Sequence, residues 1–325
     1  MLKQKRVFLL VTVLLVAIIV GVVLGNNREI STNKDYEYNG EKILIVQNRI
    51  ELTTLFGKYF GTAYGGSEVI SVANDGSIEQ VVQVYNKIYV QGAVIEGCIH
   101  MVSAADANTN TKEEYVLDLK SKSGGKREYK VTIDFLNLQL SQKAGGNVIL
   151  PKCFWESGYA ACELAFGENG AIYYCQEGKL CCYENGVEKV LVSDAAIKAH
   201  GSVFGGKKML YLFFNQDRGA TMYSYDFGSE HIQFCVNLEG NCYKAVPVEG
   251  GIYFVDDFTL KRYSRDQGID AVVDDEILDI LGDKTNGGFY ALSDSVFYHF
   301  ASDESVQSYD LPNTGNGWFL IPEVN

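Results

Sequence analysis

Proline is scarce in this chain: four in 325 residues, beside four methionines and two tryptophans. So few prolines exclude a collagen-like fibre or a proline-rich stalk, although glycine is frequent at 33. Positive charge is short as well. Twenty-eight Lys and Arg face 41 Asp and Glu, for a formal charge of −13 and a pI near 4.8. That deficit argues against nucleic acid as a main partner, because a phosphate backbone needs a basic face. The common signatures of catalysis are also missing. The four histidines (His100, His200, His231, His299) form neither H-x-H nor H-E-x-x-H, and the eight cysteines contain no C-x-x-C. G-x-S-x-G, G-x-x-x-x-G-K-[ST] and G-x-G-x-x-G are absent. His200-Gly201-Ser202 resembles an esterase oxyanion loop only superficially and reads as a connection between strands. Neither a metal site nor a cofactor is expected.

What is present begins at the N-terminus. Val7 to Leu24 carries no charge and is almost wholly apolar. As a helix it would cover about 27 Å, close to the thickness of a bilayer's hydrocarbon. Lys3, Lys5 and Arg6 precede it, so residues 1–6 read as a cytoplasmic flank and 7–24 as a single transmembrane anchor. A cleaved signal peptide is the alternative, with Val23-Leu24-Gly25 as a mediocre cleavage site. Both readings export the rest of the chain. Setting residues 1–25 aside removes three basic groups and no acidic one, and the charge becomes −16. Residues 25–40 are polar and aperiodic and read as a linker, with 41–325 as the folded domain.

That domain repeats. Ile172-Tyr173-Tyr174, Leu210-Tyr211-Leu212, Ile252-Tyr253-Phe254 and Phe289-Tyr290-Ala291 begin units 38, 42 and 37 residues apart. Each is followed by a turn and a second strand marked by Leu180/Tyr183, Met222/Tyr225, Leu260/Tyr263 and Phe297/Phe300. A third strand follows at 187–192, 231–236, 269–273 and 306–309. A period near forty made of short strands predicts propeller blades. Weaker starts at Ile133, Ile88 and Ile43 extend the count to seven, within one, although Gly92–Leu150 is irregular. Asn-Gly pairs at 39–40, 169–170, 185–186, 286–287 and 316–317, with Asp75-Gly76, supply hairpin turns. The last apolar segment, Trp318–Ile321, is expected to pair with N-terminal strands and close the ring. Two tandem β-sandwiches are the alternative, but they leave the regular spacing unexplained.

Segments such as IYYCQEGKLCCYENGVEKVLV (172–192) and GIYFVDDFTLKRYSRDQGIDAVV (251–273) resemble the bacterial extracytoplasmic β-propellers of the low-density-lipoprotein-receptor-like and TolB-like families. The resemblance covers roughly 170–312 well and 40–150 poorly. It implies a binding or scaffolding role outside the cytoplasm and carries no catalytic residue across.

Candidate residues are few. Asp256-Asp257 and Asp274-Asp275-Glu276 with Asp279 are carboxylate groupings that read first as solvated turns. Lys112, Lys120, Lys122, Lys126, Arg127 and Lys130 form a basic patch, either a hairpin tip or a docking loop. Trp155 near Tyr159 is a weak platform for a sugar. All eight cysteines (98, 153, 162, 175, 181, 182, 235, 242) lie in the exported part. They read as buried thiols with at most two disulfides, and Cys235–Cys242 could bridge a turn. The sequence thus predicts a single all-β propeller of seven blades behind one N-terminal transmembrane helix. Its expected role is a binding module for a protein, peptide or glycan, not an enzyme. The alternative is a glycan-active hydrolase or lyase using carboxylates from several blades.

Overall fold

A computed structural model describes residues 30–55, 58–85, 87–95, 97–103, 111–130, 165–167, 171–184, 187–198, 201–205, 208–283, 287–312, 318–321 and 323–324. The expected anchor at 7–24 and the expected blade start near Ile133 lie outside the described residues.

Everything regular in the described residues is β-strand, arranged in six sheets. The first contains β1 (Ile30–Thr32), β2 (Ile43–Leu55), β3 (Lys58–Val72) and β4 (Ile78–Tyr85). The second contains β5 (Tyr89–Ile95), β6 (Cys98–Ser103), β7 (Thr111–Asp118) and β8 (Gly124–Lys130). Four consecutive four-stranded meanders follow. They are β9 (Ala165–Phe166) to β12 (Val187–Ser193), with β10 (Ile172–Gln176) and β11 (Lys179–Glu184) between; and β13 (Ser202–Gly205) to β16 (His231–Leu238), with β14 (Met209–Asn215) and β15 (Ala220–Asp226). The last two are β17 (Cys242–Val248), β18 (Gly251–Asp256), β19 (Thr259–Ser264) and β20 (Gly268–Glu276), then β21 (Asp279–Gly282), β22 (Gly288–Leu292), β23 (Val296–Ala301) and β24 (Val306–Asp310). The C-terminus ends in β25 (Trp318–Ile321) and β26 (Glu323–Val324).

The four repeat starts fall on β10, β14, β18 and β22, the second strand of each meander. In these strands most residues are buried, because both faces of the sheet pack on a neighbouring sheet. The fourth strands β12, β16 and β24 are largely exposed and form the rim. The first strands β9, β13, β17, β21 and β25 touch one another in succession, which places them innermost. Radial four-stranded sheets with their first strands at the centre make a β-propeller.

Closure follows the expected route. β25 pairs antiparallel with β2, Leu44 opposite Ile321 and Gln47 opposite Trp318, and becomes the innermost strand of the first sheet. β26 then pairs in parallel with β5 of the second sheet. Asp279 on β21 fastens the junction: its Oδ2 accepts the Leu320 N–H at 2.9 Å. Tyr309 on β24 donates to the Asn74 carbonyl at 2.7 Å across the same junction. The first and second sheets share a buried polar bridge, in which Asn48 donates to the Tyr89 carbonyl at 2.8 Å and Tyr89 N–H donates to Ser67 Oγ at 3.0 Å.

The domain boundary at residue 41 needs correction. β1 lies within the stretch read as linker and pairs with β4, Ile30 opposite Val84. Tyr36, also in that stretch, is 2% exposed and belongs to the core. The described residues between Gly92 and Lys130, irregular as sequence, form the ladder β5 to β8.

Candidate functional site

In an antiparallel meander alternate connections lie at opposite ends. The turns β14–β15, β18–β19 and β22–β23 mark one face of the ring, and β17–β18, β19–β20 and β23–β24 mark the other. The larger cleft, about 940 Å³, opens on the second face between the sheets β17–β20 and β21–β24. Val246 and Val248 from β17, Val272 and Val273 from β20, and Phe289 and Phe300 from β22 and β23 form apolar walls. Phe289 stacks on Phe300 at 4.5 Å and meets Tyr253 at 4.4 Å, so the wall continues the core.

Charge sits on the rim. Glu249, Asp270, Asp283 and Glu304 line the cleft with a single cation, Arg262. The Arg262 guanidinium lies 5.6 Å above the Tyr253 ring and donates to Glu304 Oε1 at 3.2 Å. Its Nε is buried and has no hydrogen-bond partner. An unmet buried donor costs about 1–3 kcal/mol. Glu304 is held for Arg262 by an unusual turn with φ of +67°. Asp303 stabilises that turn by accepting the Ser305 hydroxyl and N–H at 2.6 and 3.0 Å, which holds its carboxyl below the usual range. Asp283 meets His299 Nε2 at 3.1 Å, and Tyr290 stacks on that imidazole at 4.6 Å. Burial, then the Asp283 charge, pushes the Tyr290 phenol up. Such a cleft can hold an extended segment with apolar side chains and a basic group. Asp283 and Glu304 already have cationic or imidazole partners.

A smaller cleft of about 530 Å³ opens on the first face, among the turns at 217–219, 239–241 and 257–258. Here lies the predicted Asp256-Asp257. Asp256 is not solvated: it is 2% exposed and pairs with Lys261 Nζ at 2.5 Å. Asp257 and Phe258 form a two-residue turn with φ of +48° and +66°, as type I′ hairpins require. Phe258 and Tyr243 stand 54% and 56% exposed there.

The other predicted groups scatter. Asp274, Asp275 and Glu276 are exposed at the end of β20, where Asp275 accepts from Tyr298. Asp279 is buried in the closing junction and so is no turn residue. Lys120 and Lys122 sit on the β7–β8 turn, while Lys126 pairs with Glu113 at 3.9 Å. His100 meets Glu114 at 2.7 Å, His231 is exposed, and His200, Trp155 and Tyr159 lie outside the described residues. Ser202 opens the innermost strand β13 and is buried. Cys235 is a free thiol, so no Cys235–Cys242 bridge is formed. Cys181 and Cys182 occupy opposite faces of β11, and both are buried because each face has a neighbouring sheet. The signal missed in the sequence is the cleft itself, whose walls come from residues 245 to 306 in two successive blades.

The chain therefore belongs structurally with β-propellers. No protein-family profile matches it, and no curated protein does. Solved structures do. A structure titled as a nidogen/laminin complex aligns over 86% of this chain and 98% of its own, at 7% identity and a TM-score of 0.43. TolB from Acinetobacter baumannii aligns over 86% of this chain and 66% of its own, at 10% identity and a TM-score of 0.42. PorZ, a surface component of the type-IX secretion system of Porphyromonas gingivalis, covers 85% of this chain and 40% of its own, at 10% identity and a TM-score of 0.48. All three contain β-propellers.

Proposed function

We propose that this protein is a membrane-tethered, extracytoplasmic β-propeller of seven blades that binds an extended polypeptide segment in the cleft between β17–β20 and β21–β24. The observation that carries the reading is the cleft's make-up: apolar walls, an acidic rim and one incompletely satisfied arginine. Extended segments dock through alternate side chains in such grooves, and an acidic rim selects basic neighbours. The tether reading is supported by the uncharged run 7–24 and its basic flank. The seven-blade count is supported by the repeat spacing. Two of the four carboxylates that line the cleft, Asp283 and Glu304, already have partners, which favours binding over a hydrolase reading.

The test uses the full-length chain in nanodiscs on an array of extracytoplasmic peptides. Binding by apolar-basic peptides, lost in Val273→Asp and weakened in Arg262→Met, is the expected result. Turnover of glycan by the same preparation, with no peptide bound, would overturn the proposal.

A further inference from the structure

The smaller cleft, on the face opposite the larger one, is framed by two aromatic rings. Phe258 comes from the β18–β19 turn and Tyr243 from the start of β17, and both are more than half exposed. Phe258 sits where a side chain is disfavoured: it is the second residue of its turn, with φ of +66°. The corresponding turn, β10–β11, has Gly178 at that place, with φ of +71°. A phenyl ring on a strained backbone, left half in water, adds little to the fold. Its position is where a ring would meet a ligand.

Both loops that carry the rings are fixed. Asn215 accepts from the Cys242 N–H at 2.9 Å and donates to the Cys242 carbonyl at 2.8 Å, which pins the residue before Tyr243. The Phe258 carbonyl accepts the Ile277 N–H at 2.7 Å. Gly240 lies so close to the β18–β19 turn that a Cβ there would be 2.4 Å from Asp256 Oδ1 and 2.6 Å from Asp257 Cβ. A platform arranged in advance loses little entropy when a ligand settles on it.

The polar lining differs from that of the larger cleft. There four carboxylates surround one arginine; here Asp217, Glu239 and Asp257 stand with Arg218 and Lys244. Asn241 adds an amide whose buried Oδ1 has no hydrogen-bond partner. Acceptors and donors are thus close to balanced. An ammonium group only donates and a phosphate dianion only accepts, whereas a hydroxyl does both. A pyranose combines the two features: its C–H face lies against an aromatic ring, and its hydroxyls point outward to polar groups. The cleft volume, about 530 Å³, falls in the range of small-molecule sites.

We propose that the smaller cleft binds a neutral oligosaccharide, with sugar rings seated on Phe258 and Tyr243 and hydroxyls shared with Asn241, Asp257 and Glu239. The inference does not rest on the polypeptide reading of the larger cleft. It is tested with the full-length chain in nanodiscs on an array of neutral, sulfated and amino oligosaccharides. Retention of neutral oligosaccharides is the expected result, about tenfold weaker in Phe258→Gly and in Tyr243→Ser. Glycine suits the positive φ at position 258, so the first variant keeps the turn and should melt close to the parent. Failure to retain any neutral oligosaccharide overturns the proposal, as does retention of charged ones alone. Equal retention by the parent and either variant also overturns it, because the sugar then lies elsewhere. None of these outcomes touches the peptide array, which reads the larger cleft.

Discussion

The sheet β21–β24 and its neighbour β1–β4 are built on one plan from different material. The first is a single run of chain, residues 279 to 310, folded as a meander. The second takes its outermost strand from residues 30–32 and its innermost from residues 318–321. Where a blade is local, its strands close through short turns, and what it needs from other sheets is packing on its two faces. Where a blade is borrowed, its stability depends on ring closure, and both chain ends are held by it. The same borrowed blade carries the elongated β2–β3 hairpin. The regular blades carry the larger cleft, on the opposite face.

Perturbations separate the two kinds of blade. The largest effect is expected at the closure. Leu320→Pro removes the N–H that Asp279 accepts and strains the pairing with β2, and should cost about 4 kcal/mol or more. Thermal unfolding would show this as a drop of roughly ten degrees or more. A variant that melts like the parent would mean that β25 does not close the ring. Phe289→Ala, inside a local blade where the ring is 1% exposed, should cost about 3–5 kcal/mol, read by chemical denaturation.

An intermediate effect is expected with pH. Burial and the hydrogen bond to Asp275 push the Tyr298 phenol from 10.0 to about 12. Burial does the same first for Tyr36 and Tyr263, again to about 12. A pKa raised on folding gives stability that is full below pH 10.0 and is lost as pH rises through about 12. The melting point should fall across that window, and Tyr298→Phe should flatten part of the fall. The smallest effect belongs to the tip of the β2–β3 hairpin. Shortening the hairpin between Arg49 and Gly66 should move the melting point by no more than about 2 °C, since no third strand pairs there. A large loss would show that the hairpin tip packs on the ring.

The sequence was most informative where strands are buried on both faces and bounded by turns. The triplets at 172, 210, 252 and 289 mark β10, β14, β18 and β22, and the second and third strands follow at the expected places. Apart from β25, innermost strands were illegible. β13 begins with Ser202, β17 contains Lys244 and Pro247, and β21 is Asp-Ile-Leu-Gly. Short strands crowded around an axis need small and polar residues, which read as loop. β1 was missed because three residues at an edge carry no periodicity. The cleft was illegible for another reason: it is a property of the junction between two blades, and Arg262 and Glu304 meet across 42 positions of sequence.

The proposal to test is that the cleft between β17–β20 and β21–β24 holds a polypeptide segment and the opposite face does not. A photo-crosslinking residue introduced in the full-length chain at Val273 in the larger cleft, or at Phe258 on the opposite face, tests it on intact cells. A polypeptide partner captured from position 273, and none from position 258, is the expected result. A partner captured from position 258 and none from position 273 would contradict it.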